Sequence, residues 1–197
     1  MLKVSIFIDA NNFKNRVYEA LNCRIDLDFD FEKLVEHLVG NDRVLTCACY
    51  YSALPIQAAQ DRSPFRQEKR LMHELKLKRK FRVEEGFYDI STQTEKGTDI
   101  NISTDMLMGA FHNAYDVAIL ISADQDYKKV VNSIRSMGKI VELALPERAR
   151  AGELIKNTDH FIRLMDDELK SFWKPNTGPN AVQAVAPNVA NQPVTNP

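Results

Sequence analysis

Hydrophobic and polar positions follow two different periods along the first 173 residues. Short runs rich in β-branched and aromatic residues predict β-strands, whereas apolar residues three and four apart predict amphipathic helices. The predicted strands cover residues 3–10, 43–53, 81–90, 116–123, 139–146 and 160–164. The predicted helices cover residues 31–39, 63–80, 98–114, 126–138 and 166–173. Strands that alternate with helices imply an α/β fold, with a mostly parallel central sheet and helices on both faces.

The end of the chain follows neither period. From Lys174 onward it is rich in Pro, Asn, Ala and Val, and it has no charged residue after Lys174. A segment of this composition cannot bury enough apolar surface to offset the entropy of ordering it. We therefore expect one domain over residues 1–173 and a disordered tail over residues 174–197.

Bulk composition is that of a globular domain. Of the 197 residues, 44% are hydrophobic and 27% are charged, and no apolar run is long enough for a transmembrane helix. The N-terminal apolar run is short and Asp9 interrupts it, so we expect no signal peptide. The three cysteines lack the partners of a metal site, and Cys47 and Cys49 are expected to be thiols on one face of a strand. Free thiols favour a reducing, cytoplasmic location.

Charge is distributed unevenly, although the net charge is only −1. Between Arg62 and Arg82 there are nine Lys or Arg residues and two Glu residues. This segment is either a strip that contacts phosphates or a solvated helix face, and we favour the strip. Its candidate substrate-binding residues are Arg66, Lys69 and Arg70. Three strand tyrosines are further candidates for base stacking, although such residues more often belong to a core: Tyr50, Tyr51 and Tyr88.

Acidic side chains follow two of the predicted strands. Asp9 ends the first strand, Asp124 and Asp126 follow the apolar run 117–122, and Asp99 begins the preceding helix. Ligands of open α/β sheets bind at the carboxyl ends of the strands, where the strand order reverses. If the two strands are neighbours, the carboxylates converge, and their mutual repulsion has to be compensated. Mg²⁺ or Mn²⁺ held by oxygen ligands would compensate it.

Each acid also has a simpler explanation, because Asp is a preferred N-cap of helices. Asp9, Asp99 and Asp126 each precede or begin a helical segment. Asp105 lies six residues after Asp99, about 240° around a helix, so the two do not share a face. Asp105 is therefore either a supporting residue or a solvated one. We expect Lys96, which precedes the helix 98–114, to be exposed or near a phosphate.

Other chemistries fit the sequence poorly. It has no glycine-rich phosphate loop and no nucleophile elbow, and its four histidines lack metal-ligand spacing. Asp9 is followed by Ala-Asn-Asn rather than by a second Asp two residues later, which disfavours an aspartyl-phosphate phosphatase. A different enzyme of small phosphate compounds remains an alternative.

Three stretches together resemble a known family: "FIDANNF", "KGTDINISTDML" and "LISADQDYKKVVNSIRSMGKIVEL". They are similar to the NYN domain in its LabA-like form, a branch of the PIN-like nuclease superfamily, and the resemblance covers roughly residues 1–165. It implies a Rossmann-like (PIN-like) three-layer sandwich that carries a metal-dependent nuclease site. It also implies cleavage of RNA with Mg²⁺ or Mn²⁺ as cofactor.

The resemblance assigns roles to seven residues. The implied catalytic and metal-binding acids are Asp9, Asp99, Asp124 and Asp126. The implied supporting residues are Asn12, Ser122 and Asp105. Independently of the resemblance, Lys96 is counted with Arg66, Lys69 and Arg70 among the candidate substrate-binding residues. The usual Ser-Gly-Asp of the family is Ser122-Ala123-Asp124 here. Because of Ala123, a weakly catalytic or non-catalytic module that binds RNA or protein is kept as an alternative.

The partner expected from this resemblance is RNA. DNA is not excluded, because no residue is identified that reads a 2′-hydroxyl. A homodimer is a further possibility, through a sheet edge or through the helix 166–173 with its apolar Leu169, Phe172 and Trp173.

Overall fold

Seven strands and seven helices make up the protein in the computed structural model, which describes residues 1–54, 63–89, 94–175 and 177–179. The strands are β1 (Leu2–Asp9), β2 (Arg43–Ala53), β3 (Phe81–Asp89), β4 (Thr94–Lys96), β5 (Val117–Ile121), β6 (Ile140–Pro146) and β7 (His160–Leu164). The helices are α1 (Ala10–Leu21), α2 (Phe31–Val39), α3 (Ser63–Lys76), α4 (Thr98–Phe111), α5 (Lys128–Ser136), α6 (Gly152–Asn157) and α7 (Asp166–Ser171).

The strands form one sheet in the order β4-β3-β2-β1-β5-β6-β7. All neighbouring strands are parallel except β4, which runs antiparallel to β3. β1 lies at the centre, with β2 on one side and β5 on the other. The order of the strands therefore reverses between β1 and β5. The predicted α/β fold with a mostly parallel sheet is confirmed, and so is the expected contact between these two strands.

Side chains of the central strands alternate between two cores, one on each face of the sheet. On β1, Ile6 and Ile8 belong to the first core and Phe7 to the second. Helices α1, α2, α3 and α7 cover the first face, and α4, α5 and α6 cover the second. The strands are nearly continuous apolar runs because both faces are buried. This burial fixes the positions of the strand ends, where the candidate site lies.

Sequence patterns missed three elements, namely α1, β4 and α6. β4 has three residues and α6 has six, so neither is long enough to show a period. α1 begins directly after β1 with two asparagines, and its Phe13 and Val17 are buried. Helix α3 ends at Lys76 rather than at residue 80, and Lys80 adopts a positive φ of 68°. A turn therefore separates α3 from β3.

The C-terminal helix packs against the body of its own chain. Leu169, Phe172 and Trp173 are all buried in the first core. They cannot form the dimer surface expected for this helix. Lys174 continues this packing, because its backbone N–H donates to the carbonyl of Asp28 at 3.0 Å. The predicted tail beyond residue 179 lies outside the described residues.

Candidate functional site

The carboxyl end of β1 places Asp9 at the point where the strand order reverses. Asp9 is only 6% exposed and is the N-cap of α1, where its Oδ1 accepts a hydrogen bond from the backbone N–H of Asn12 at 3.1 Å. Its other oxygen, Oδ2, accepts a hydrogen bond from the hydroxyl of Ser122 at 3.0 Å. The N-cap explanation of Asp9 is therefore correct. Because the two oxygens have different partners, capping leaves Oδ2 directed toward β5.

The segment after β5 is tied to the same point. Asp124 is the N-cap of a short 3₁₀ turn, Gln125–Tyr127, and its Oδ1 accepts from the backbone N–H of Asp126 at 3.0 Å. The backbone N–H of Asp124 donates to the Ser122 hydroxyl at 3.2 Å. The Ser122 hydroxyl thus connects both strand ends, because it donates to Asp9 at the end of β1 and accepts from the backbone N–H of Asp124 after β5.

A second cross-link joins α1 to this segment. The side-chain oxygen of Asn12 accepts a hydrogen bond from the backbone N–H of Ala123 at 2.9 Å. Ala123 is buried. The extra methyl group of Ala123, compared with the family's usual glycine, therefore does not prevent this close approach of the backbone.

Asp99 reaches the same region from the start of α4. The N-cap of this helix is Gly97, with a positive φ of 88°, so Asp99 lies in the first turn and is exposed. Tyr127 is only 1% exposed, and its hydroxyl donates to Asp99 Oδ1 at 2.9 Å. The same hydroxyl lies 3.4 Å from Asp9 Oδ2, a longer and weaker contact.

The pKa of Tyr127 is raised by its surroundings. Burial raises the pKa of Tyr127, and the negative charges of Asp9, Asp99 and Asp124 raise it further. The phenol therefore keeps its proton and acts as a hydrogen-bond donor at physiological pH. Two carboxylates, Asp9 and Asp99, thus lie within 3.4 Å of one buried hydroxyl.

These residues surround a cleft of about 230 Å³. Its lining consists of Asp9, Asn11, Asn12, Asn15, Gly97, Thr98, Asp99 and Asp124. The side-chain donors that it offers to a cation are carboxylate, amide and hydroxyl oxygens. Such oxygen donors suit hard cations such as Mg²⁺ and Mn²⁺ rather than softer metals.

The acids do not form one complete ligand set by themselves. Within the described ranges, no three side chains of His, Cys, Asp or Glu are arranged to hold a metal ion together. Mg²⁺ usually keeps several water molecules and takes one or two carboxylates from the protein. The donors of the cleft therefore fit a hydrated divalent cation held by few carboxylates, rather than a cage of four.

Two of the five predicted acidic residues lie outside the cleft lining. Asp126 is exposed, and it lies on the neighbouring surface with Lys128 and Lys129. Asp105 accepts a hydrogen bond from the hydroxyl of Tyr51 at 2.7 Å and forms an ion pair with Arg82. Asp99 and Asp105 lie on different faces of α4, as expected for residues six apart on a helix. The contacts of Asp105 hold α4 against β2 and β3.

The predicted substrate-binding cations are exposed. Arg66, Lys69 and Arg70 lie on α3, and Arg70 Nε forms an ion pair with Glu74 at 3.0 Å. Lys96 is exposed at the end of β4, directly before the residues of the cleft. The suggestion that strand tyrosines stack on bases is wrong for Tyr50 and Tyr51, because both are buried. The side chain of Tyr88 lies outside the described residues.

A larger cavity of about 480 Å³ adjoins the cleft, and Asn11 lines both. Two cations and two acids line this cavity: Lys14 of α1, Arg24 and Asp26 of the following loop, and Glu68 of α3. At its base lies Glu68, which is only 8% exposed and forms an ion pair with Lys14. Two buried hydroxyl groups donate to Glu68 Oε1: Tyr50 at 3.0 Å and Ser52 at 2.7 Å.

Sequence reasoning did not identify several residues of the site, among them Tyr127, Asn15 and Lys14. Tyr127 had a signal, because it is the aromatic residue directly after the Asp-x-Asp pair. Asn11 and Asn15 are four residues apart and share a helix face, which is a further signal. Lys14 is a single cation in a mixed sequence, and only the fold brings it to the cavity.

Comparison with known proteins agrees with this fold. The NYN domain family matches residues 3–166. A crystal structure of a protein of unknown function from Vibrio parahaemolyticus has the same fold, with a TM-score of 0.63 and 21% sequence identity. The alignment covers 84% of this chain and 94% of that one. No curated protein gives a significant match. The chain belongs to the NYN domain family, within the PIN-like nuclease superfamily.

Proposed function

We propose that this protein is a ribonuclease that uses Mg²⁺ or Mn²⁺ to cleave phosphodiester bonds of RNA. The observation that carries this proposal is that Asp9, Asp99 and Asp124 line one cleft at the switch point of the sheet. The proposal is also supported by membership of a family with a nuclease-like fold. A cleft with these oxygen donors, open to solvent at the switch point of the sheet, suits phosphate chemistry better than nucleophilic catalysis.

Asp9 and Asp124 would hold the cation, because they end the two central strands and line the cleft. When bound, the cation supplies positive charge for the phosphate and lowers the pKa of a water molecule. Asp99 is the exposed carboxylate of the three and would orient the attacking water. Asp126 lies outside the cleft lining, so it would not contact the cation directly.

The neutral residues of the site keep the carboxylates in place. Ser122 and Asn12 restrain the segment after β5 relative to α1, and Tyr127 restrains Asp99. Residues of this kind, which hydrogen-bond to metal ligands, typically contribute 10- to 100-fold to metal affinity or activity. We assign Ser122, Asn12 and Tyr127 to this positioning role.

Binding of the RNA backbone would use cations on both sides of the acidic cleft. Lys96 lies on one side, directly before Gly97. Lys14 and Arg24 line the larger cavity, which shares the lining residue Asn11 with the cleft. The exposed cations of α3, including Arg66 and Lys69, extend this surface. Contacts of this kind bind any sequence and weaken as the salt concentration rises.

A second candidate function is an RNA-binding module with little or no catalysis. The observation in its favour is that no three acidic side chains of the described residues form a ready metal site. The hydrogen bond between Asn12 and Ala123 argues for the nuclease, because the local geometry tolerates the alanine methyl group.

A cleavage assay tests the proposal. The purified protein is incubated with single-stranded RNA or DNA of mixed sequence in Mg²⁺, Mn²⁺ or EDTA. We expect RNA cleavage that requires the cation, and a loss of at least about 100-fold in Asp124→Asn. Asparagine keeps an oxygen that can cap the 3₁₀ turn, so the free energy of unfolding should change by less than about 1 kcal/mol.

The matched control is Asp167→Asn, which removes the same charge from a side chain that is 98% exposed on α7. It should leave cleavage unchanged. RNA binding without cleavage by the wild-type protein would support the binding module instead. Hydrolysis of a small phosphomonoester without RNA cleavage would support the phosphatase alternative.

A further inference from the structure

Two phenylalanines have largely exposed rings. Phe87 on β3 is 62% exposed, and Phe111 at the end of α4 is 71% exposed. Single exposed apolar side chains are common on protein surfaces, so exposure alone indicates nothing. What distinguishes Phe87 from Phe111 is its position relative to the acidic cleft.

The ring of Phe87 lies against the wall of the cleft. A Cβ atom built on Gly97 would come within 3.2 Å of Phe87 Cε1, so the ring packs closely on the backbone of Gly97. Gly97 itself lines the cleft together with Asp9, Asp99 and Asp124. Phe87 therefore presents an apolar ring to solvent beside Gly97, a residue of the cleft lining.

A cation lies next to this ring. In the antiparallel pair of β3 and β4, Phe87 is directly opposite Lys96. Residues directly opposite in such a pair have their side chains on the same face of the sheet. Both side chains are exposed, so the edge of the cleft combines an aromatic ring with an ammonium group. Surfaces that bind single-stranded nucleic acid combine these same two features.

We infer that Phe87 stacks on a base of the nucleotide adjoining the cleaved phosphate, while Lys96 contacts the RNA backbone. This inference rests on the proposed function and narrows it to single-stranded substrates. In a duplex, each base is stacked and paired inside the helix and cannot lie on a ring outside it. Unpaired bases of any identity can stack, so Phe87 confers preference for single strands rather than for a sequence.

Affinity for single-stranded RNA tests this assignment. Kd is measured in Mg²⁺ with the Asp124→Asn protein, in which cleavage is expected to be suppressed. Base–aromatic stacking contributes about 1–3 kcal/mol, so Phe87→Ala should weaken binding by about 5- to 150-fold. Phe87→Trp should restore it. Phe111→Ala is the matched control, since it removes an equally exposed ring elsewhere on the surface, and its Kd should equal that of the parent.

Fluorescence provides a direct sign of stacking. The only native tryptophan, Trp173, is 3% exposed, so a tryptophan introduced at Phe87 supplies the exposed signal. Single-stranded RNA should quench Phe87→Trp and leave Phe111→Trp unchanged. Duplex RNA of the same sequence should quench neither protein.

Three results would overturn the assignment. One is equal Kd values for Phe87→Ala and its parent, and another is equal quenching by single-stranded and duplex RNA. If wild-type protein cleaves RNA in either case, the proposed ribonuclease stands and only the role of Phe87 fails. The third result, no RNA binding by the parent and no cleavage by the wild type, would refute both. Unfolding of the Phe87 variants should match the parent closely, because the ring is mostly exposed.

Discussion

Replacing Tyr127 with Phe removes one buried hydroxyl and leaves the ring in place. This hydroxyl donates to Asp99 Oδ1 at 2.9 Å and lies 3.4 Å from Asp9 Oδ2. Tyr127→Phe therefore deprives the acidic cleft of a donor that it shares between two carboxylates. The change tests whether the phenol only supports the fold or also positions the carboxylates for a cation.

The expected loss of stability is modest. A hydrogen bond to a charged group contributes about 1.5–3 kcal/mol. Asp99 is exposed, so water replaces the lost donor at that residue, and the cost should lie near the lower limit. A loss of about 1.5 kcal/mol corresponds to a fall in Tm of about 3–6 °C for a domain of this size. The protein should therefore remain folded at 25 °C.

The functional effect should be larger. A residue that positions a metal ligand typically contributes 10- to 100-fold to metal affinity or activity. We expect the Mg²⁺ concentration that gives half-maximal RNA cleavage to rise by about 10-fold or more in Tyr127→Phe. A purely structural loss would lower the amount of folded protein and leave this concentration unchanged.

Tyr115→Phe is the matched control. Tyr115 is fully buried, and its hydroxyl donates to the backbone carbonyl of Met106, away from the acidic cleft. The substitution should lower the free energy of unfolding by about 1 kcal/mol, with no change in the Mg²⁺ dependence. The reasoning fails if Tyr127→Phe and the wild-type protein have the same Mg²⁺ dependence, or if Tyr115→Phe shifts it equally.

Two further predictions concern groups outside the cleft. Glu68→Ala removes a buried carboxylate that accepts from two buried hydroxyls and pairs with Lys14, so we expect the free energy of unfolding in urea to fall by about 3–5 kcal/mol. Glu68→Gln keeps an acceptor, so its free energy of unfolding should fall by less than half as much. A fall below about 1 kcal/mol in Glu68→Ala would contradict this account. The Sγ atoms of Cys47 and Cys49 lie 3.3 Å apart, and the hydrogen bond from Cys49 lowers the pKa of Cys47. Burial instead raises the pKa of Cys23. Iodoacetamide should therefore alkylate Cys47 at lower pH than Cys23 in peptide mass spectra, and Cys49→Ala should abolish this difference.

Most of the fold could be predicted from the sequence, because both faces of the sheet are buried. The apolar runs of β2 and β7 predict these strands with their observed ends, and the period of α2 predicts that helix in full. Burial on both faces also explains why the strands read as continuous apolar runs. Very short elements such as β4 carry no period, so only tertiary contacts define them.

The site was less predictable than the fold. Strand ends followed by acids predicted the convergence of Asp9 and Asp124, because parallel strands end at one edge. Two positions depended on local geometry that the sequence does not specify. Asp126 follows Asp124 by two residues, yet the 3₁₀ turn places it on the outer surface. The sequence marks Tyr127 only as the aromatic residue after the Asp-x-Asp pair, and its hydrogen bond to Asp99 depends on where the fold places the buried hydroxyl.

The two interpretations of the strand-end acids, as helix caps and as ligands of a cation, are compatible. Asp9 caps α1 with Oδ1 and faces Ser122 with Oδ2, so one carboxylate can serve both purposes. The cap requires only an acceptor oxygen, whereas binding a cation requires the negative charge. Asparagine supplies the first property and lacks the second. It follows that Asp124→Asn should separate folding from the proposed catalysis, whereas alanine would remove the cap and the charge together. At Asp9 an asparagine keeps the cap, but its NH₂ group would replace the oxygen that accepts from the Ser122 hydroxyl, so Asp9→Asn should also lower stability.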